Sequence, residues 1–297
     1  MTPDRSAQPP SQPIADLQIA IAAFVAGAGW LFSIHALAEF PPLLFLSSRF
    51  VIAGLLIGLL SRFASFAELG RAVRLLLPAA LALAVAMMAW IFGLKQTTNP
   101  GVAAFITSTG NLLVPVFGLL FFGWPVGRAL GISIAVALAG MGLLFLGPGA
   151  RVEVAHLYFV VSALLWAASI ALVKRNSTEV GAVATAAIQL VAAGVVILAV
   201  SLPVEQMPAA VPSIAIWGWF LASILISTCL RFVLQFRGQQ MISAARASVI
   251  MCCEPVWVLV FALAFLGSPL SLSQILGCAV ILLAMLGQVV FRPNSAA

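Results

Sequence analysis

Charge is what this 297-residue chain has least of: Asp, Glu, Lys and Arg together make up 7% of it, against 63% hydrophobic residues. A water-soluble domain carries roughly a quarter of its residues as charges, because its surface must be solvated. With so few charges, and a mean hydropathy of +1.19, most of this protein's surface must face a solvent other than water. That solvent is the lipid bilayer, which admits only helices or closed barrels as spanning structures, since every backbone polar group must be paired internally. A barrel would show stretches of ~10 residues in apolar/polar alternation. The apolar runs here instead reach about 20 residues, the length a helix needs to cross ~30 Å of hydrocarbon at 1.5 Å per residue. The spanning elements are therefore helices.

Other scarcities narrow the function. Lys95 and Lys174 are the only lysines and neither follows a glycine-rich GxxxxGK[ST] loop, which excludes a P-loop ATPase. No HExxH, GxSxG or carboxylate-rich cluster occurs, and the 8 acidic residues fall mostly between the apolar runs. Enzymes that work inside membranes need such polar constellations, so no catalytic residue, metal or cofactor is expected. The four cysteines, Cys229, Cys252, Cys253 and Cys278, all lie inside apolar runs without CxxC spacing or a histidine pair. They read as small reduced hydrophobes rather than zinc ligands. The net charge of +6 does not point to nucleic acid, because the basic residues are scattered at the ends of apolar runs instead of clustered in a polar patch.

What is present is a succession of ten apolar runs, at 17–38, 41–61, 72–94, 100–122, 128–147, 154–173, 180–202, 212–235, 243–266 and 270–291. Arg71, Arg74, Pro100, Pro125, Pro148, Lys174, Arg175, Pro203, Arg237 and Gly267 mark breaks between them. Residues 1–16, with four prolines and no periodicity, read as a disordered cytoplasmic tail, and 292–297 as a cytoplasmic tail. With the N-terminus cytoplasmic, the inner segments hold eleven basic residues: Arg5, Arg62, Arg71, Arg74, Arg128, Lys174, Arg175, Arg231, Arg237, Arg246 and Arg292. The outer loops hold two, Lys95 and Arg151, and Arg49 falls within a span. The positive-inside rule then places both termini in the cytoplasm. A missed or invented span would move every later loop to the other side and destroy this bias.

The two halves of the chain resemble each other. Trp30 stands in the first helix and Trp166 in the sixth, each after a run of small residues. The second helix reads RFVIAGLLIG from Arg49 and the seventh QLVAAGVVIL from Gln189. The fourth contains VPVFGLLFFGWP from Val114 and the ninth EPVWVLVFALAFLGSP from Glu254, followed by Gly131 and Gly277 in the next helices. Landmarks repeated in one order argue for duplication. Five helices are an odd number, so the second copy enters the membrane from the opposite side. The expected fold is thus an all-α polytopic membrane protein of ten transmembrane helices, built as two inverted five-helix repeats at 17–148 and 153–291. That is a recurring plan of secondary transporters, which bind substrate near the midplane between the repeats.

The stretch GLKQTTNPGVAAFITSTGNLLVPVFGLLFFGWP at 93–125, with Glu254, Pro255 and Val256 in the second half, resembles the EamA-type permeases of the drug/metabolite transporter superfamily. The resemblance covers about 17–291. It implies a cytoplasmic-membrane exporter of small molecules: amino acids and their relatives, drugs, organic cations or other metabolites. The overall pattern looks most like the aromatic amino-acid exporters, which imply transport by alternating access without a cofactor. The partners expected are a small-molecule substrate and the bilayer, with the protein a monomer or a homodimer.

Seven residues stand out as candidate substrate contacts. Arg49 lies mid-span, where a charge costs at least ~2.5 kcal/mol and must face the bundle interior or water. It holds either a substrate carboxylate or gating partner, or a structural ion pair. Glu254 is the acidic residue deepest in a helix, suited to carry a proton, to pair with Arg49 or Arg246, or to serve a structural role beside Pro255, which is expected to bend its helix as Pro115 bends the fourth. Trp30, Trp90 and Trp166 offer aromatic walls for an apolar side chain, with core packing as the simpler alternative. Thr107 and Asn111, with Ser108 and Thr109, put several hydrogen-bonding groups in one turn, and Ser227 and Thr228 do so in the second half. His35 and His156 sit near the outer ends of their helices and read as interfacial.

Overall fold

The structure, a computed structural model, describes residues 11–61, 66–97, 100–125, 127–145, 154–176, 180–206, 210–267 and parts of 271–284. Among them every regular element is helical: α1 (Ser11–Ala36), α2 (Pro42–Gly58), α3 (Phe66–Gln96), α4 (Pro100–Phe122), α5 (Arg128–Phe145), α6 (Val154–Asn176), α7 (Ala182–Val204) and α8 (Ile214–Ile224) come first. A π-helical segment (Leu225–Leu230), α9 (Arg231–Met241), α10 (Ala244–Met251) and α11 (Glu254–Leu266) complete the order. Seven apolar helical spans are long enough to cross a bilayer, counting α8 to α9 as one and α10 to α11 as another, while α2 and Gly131–Gly140 of α5 are shorter apolar helices. The expected tenth span, 270–291, lies largely outside the described residues.

The distribution of side chains is that of a membrane protein. The interior is rich in alanine and in small polar residues, including Ser33, Ser47, Ser162, Ser169, Thr185 and Ser223, all fully or almost fully buried. Large apolar residues such as Leu59, Leu120, Phe121, Leu157, Leu202 and Ile214 point outward. In water this arrangement would leave a large apolar patch exposed. In lipid, small interior residues let helix backbones approach, and packing takes over from the hydrophobic effect as the force that joins helices.

The helices pair according to an internal two-fold relation that exchanges the first with the sixth, the second with the seventh, the third with the eighth span and the fourth with the ninth. The contact of α3 with α6 has its counterpart in α1 against α8 and α9, and that of α4 with α6 in α1 against α10 and α11. At the centre α2 crosses α7. A methyl placed on Gly54 would come within 2.7 Å of Val191 Cγ2, and one on Gly194 within 2.8 Å of Val51 Cγ2. In the repeat alignment Gly54 corresponds to Gly194 and Val51 to Val191, so each glycine receives the other's valine. The fourth helix of each repeat ends alike, at Gly123 (φ 67°) and Gly267 (φ 63°). This left-handed conformation suits glycine and stops a helix.

Several boundaries differ from expectation. α1 starts at Ser11 rather than residue 17. Pro13 is tolerated because the first helical turn needs no N–H partner, and Ala15 and Ile19 are buried against the ninth span. α3 runs through Arg71 and Arg74 from Phe66, carrying its basic turn beyond the apolar core. The ninth span makes a turn between α10 and α11 at Cys252 and Cys253, whose backbones stay in the right-handed helical region, and Pro255 stands in the first turn of α11. These two cysteines therefore lie at a joint and not within a helix. His35 stacks on Trp219 at 4.6 Å, and His156 is buried near the start of α6.

The two ends of the bundle differ in charge. At one end Lys174 donates to the carbonyl oxygens of Gln239 and Ile242, and Arg246 Nη2 pairs with Asp16 Oδ2 at 2.5 Å. At the other, acidic residues start helices. Glu205 accepts from the backbone N–H groups of Leu43 (2.8 Å) and Leu44 (2.7 Å). Glu39 accepts from the N–H and hydroxyl of Ser213, the N-cap of α8. A carboxylate on the free N–H groups of a helix start satisfies donors that have no intrahelical partner. Glu205→Ala is expected to lower stability by about 1–2 kcal/mol, measurable as a lower thermal midpoint in detergent. An unchanged midpoint would deny Glu205 this capping role.

Candidate functional site

The helices converge on one interior cavity. α1 contributes Ala26, Gly29 and Trp30, α2 Arg49, α3 Met87 and Trp90, α4 Thr107, Ser108 and Asn111, and α6 Ser162 and Trp166. The π segment, α9 and α11 add Ser227, Arg231 and Glu254. All seven residues singled out from the sequence meet there, although they come from six helices and both repeats. The free space at the centre is about 40 Å³, room for no more than a few waters.

Arg49 is 5% exposed, and its guanidinium meets only neutral acceptors. Nε donates to Thr228 Oγ1 (2.5 Å), Nη1 to Ser33 Oγ (3.0 Å) and Nη2 to Ser227 Oγ (3.1 Å) and the Ser227 carbonyl oxygen (3.5 Å). Among the described residues no carboxylate pairs with it, so the structural ion pair weighed for it does not form. The second repeat holds an uncharged copy of this arrangement. Gln189 Nε2 donates to Ser169 Oγ (2.7 Å) and to the Ala79 carbonyl oxygen (3.5 Å), where Ser169 corresponds to Ser33. Both repeats interrupt the third helix at this level, with Pro78 inside α3 and with the π segment in the eighth span.

Glu254 pairs with neither Arg49 nor Arg246. Its Oε1 accepts from Trp30 Nε1 at 3.1 Å, and its Oε2 lies 3.7 Å from Arg231 Nη2. In reciprocal fashion, Trp166 Nε1 donates to Asn111 Oδ1 at 3.0 Å. Each repeat thus sends the tryptophan of its first helix to a polar acceptor on the other repeat's fourth helix. Trp30 also meets Trp90 edge-to-face, with centroids 5.1 Å apart. Thr107 lines the cavity, but its hydroxyl bonds back to Ala103 O at 2.9 Å, and Thr109 turns back to Ile106 O.

Arg231 is the residue that sequence reasoning missed. Counted among the inner basic residues at a helix end, it instead lies over the Trp166 ring, 5.0 Å from the centroid, beside Glu254. The available signal was its setting: Leu230, Phe232, Val233 and Leu234 surround it, as an apolar run surrounds Arg49. The cavity therefore holds two guanidinium groups and one carboxylate, an excess of one positive charge. In a medium of low dielectric such an excess attracts an anion strongly.

Comparison with known proteins places this geometry. The sequence pattern of the EamA-like transporter family matches residues 13–146 and again 154–289, one copy per repeat. A curated relative, the uncharacterized transporter YcbK of Bacillus subtilis (strain 168), is 30% identical over 80 residues. That match spans 27% of this chain and 26% of YcbK. A solved crystal structure of another protein superposes with a TM-score of 0.72 over 94% of this chain and 98% of its own, at 17% identity. At that identity the likeness is one of fold.

Proposed function

The chain belongs to the EamA-like transporter family, and on that premise we propose that it exports aromatic and other hydrophobic amino acids across the cytoplasmic membrane by alternating access, with both termini in the cytoplasm. The observation that carries this reading is Arg49: a buried guanidinium with no carboxylate partner among the described residues, beside a wall of tryptophan. A guanidinium recognises a carboxylate through paired, charge-assisted hydrogen bonds. Trp30, Trp90 and Trp166 supply flat apolar surface for the side chain. Organic cations, the alternative cargo, would enter a cavity that already carries excess positive charge.

The cavity is too small in this conformation for an amino acid, so the repeats must part to admit one. Among the bonds between repeats at the cavity, those of the two tryptophans, Trp30 to Glu254 and Trp166 to Asn111, are ones that must yield. Hydrogen bonds between membrane helices contribute only about 0.6–2 kcal/mol each, so both can break and re-form in a transport cycle. The joint between α10 and α11 and the π segment offer places where helices can flex.

The test is uptake of labelled phenylalanine and tryptophan into proteoliposomes, with glycine and protein-free vesicles as controls. Saturable uptake of the aromatics, well above that of glycine, is the expected result. Folded, correctly reconstituted protein that moves neither aromatic would overturn the amino-acid reading and turn attention to other carboxylates.

A further inference from the structure

Arg231 occupies a place built for a cation. Glu254 is held by Trp30, which bonds Oε1 and leaves Oε2 facing the cavity side of Arg231. Trp166 is held by Asn111, which fixes the plane of the indole. A fixed carboxylate beside a fixed indole face is the chemistry that recognises an organic ammonium, by charge and by the negative face of the ring together. Arg231 itself is held loosely. Its Nη2 lies 3.7 Å from the carboxylate, beyond hydrogen-bonding distance, and its buried Nε has no partner among the described residues. Arg49 differs on both counts, since each of its nitrogens donates to an acceptor within 3.5 Å.

We propose that Glu254 and Trp166 form a subsite for the ammonium group of a ligand, and that Arg231 is its internal occupant, displaced when ligand arrives. This rests on reading the cavity as the substrate site. It deepens that reading by assigning the two ends of an amino acid: carboxylate to Arg49, ammonium to Glu254 and the Trp166 ring. It also makes Arg231 the residue that sets specificity. A ligand bearing only a cation must evict Arg231 while leaving Arg49 uncompensated, and so is rejected. A ligand bearing both charges compensates Arg49 as it displaces Arg231.

Binding of three probes to purified protein tests the assignment: tryptophan, tryptamine, which lacks the carboxylate, and indole-3-propionate, which lacks the ammonium. Arg231→Gln vacates the subsite and should raise affinity for tryptamine about tenfold or more over wild type. Folded Arg231→Gln protein with unchanged tryptamine affinity overturns the proposal. Because removing one partner of a buried pair can prevent folding, Glu254→Gln provides a second readout. It should erase the preference of wild type for tryptophan over indole-3-propionate, whereas a retained preference overturns the subsite. A gain of tryptamine binding in Arg231→Gln, with no tryptophan binding to wild type, would sustain the subsite while defeating the amino-acid reading.

Discussion

Arg49→Gln lowers transport of carboxylate-bearing amino acids about 100-fold or more and leaves the protein folded. The size follows from two charge-assisted hydrogen bonds of about 1.5–3 kcal/mol each between guanidinium and carboxylate, since 1.4 kcal/mol is about a factor of ten. Retention of the fold follows from the twin site. Gln189 already lies fully buried in the equivalent position, bonded to Ser169 as Arg49 is to Ser33. A glutamine at 49 meets surroundings of the same kind, and a charge costly to bury in the membrane is removed. The check is initial uptake rate in proteoliposomes alongside the thermal midpoint of the same preparation. Wild-type rates from the variant would remove Arg49 from the mechanism.

Gly54→Val and Gly194→Val abolish the folded bundle, or nearly so, and to a similar extent. A Cβ on Gly54 would stand 2.8 Å from the backbone nitrogen of Val191, and one on Gly194 2.9 Å from that of Val51. Flexible side chains can move aside, but here the obstacle is the main chain of the partner helix. Overpacking of this kind costs roughly 1–3 kcal/mol even where the surroundings relax, and α2 and α7 can relieve it only by separating. The yield of monodisperse protein in detergent and its thermal midpoint measure the effect. Gly218→Val, where an added Cβ meets nothing within 4 Å, is the control. A stable Gly54→Val protein would show that the crossing is looser than this geometry implies.

The sequence shows the membrane, the helices and the repeat plainly, because each is written in a long-range pattern: apolar length, charge asymmetry and recurring landmarks. The reciprocal Gly54 and Gly194 contacts follow from the same alignment that paired RFVIAGLLIG with QLVAAGVVIL. The candidate site was legible in its members but not in its wiring. Arg49, Glu254 and the tryptophans stand out because polar or bulky groups are conspicuous in an apolar span, and the structure gathers all seven around one cavity. Which charge faces which depends on helix rotation and register, which no local pattern encodes. Glu254 therefore met Arg231 rather than Arg49 or Arg246. Arg231 was hidden by the charge count from which the topology was read, since a basic residue near the end of a span is ordinarily a topology signal. The turn at Cys252 and Cys253 was masked by an unbroken apolar run that satisfies the length rule whether or not the helix is continuous.

The π segment bears on how far the two halves can differ. Leu225–Leu230 is wound as a π-helix, with hydrogen bonds from i to i+5, so its turn holds one residue more than an α-helical one. A helix advances about 100° per residue. Excising a single residue from Leu225–Leu230 would therefore turn everything after it by more than a quarter of a circle about the helix axis. Arg231 would leave the indole of Trp166, while Ser223 before the segment kept its place. In heredity as in geometry, the cavity's second guanidinium hangs on one codon's worth of slack.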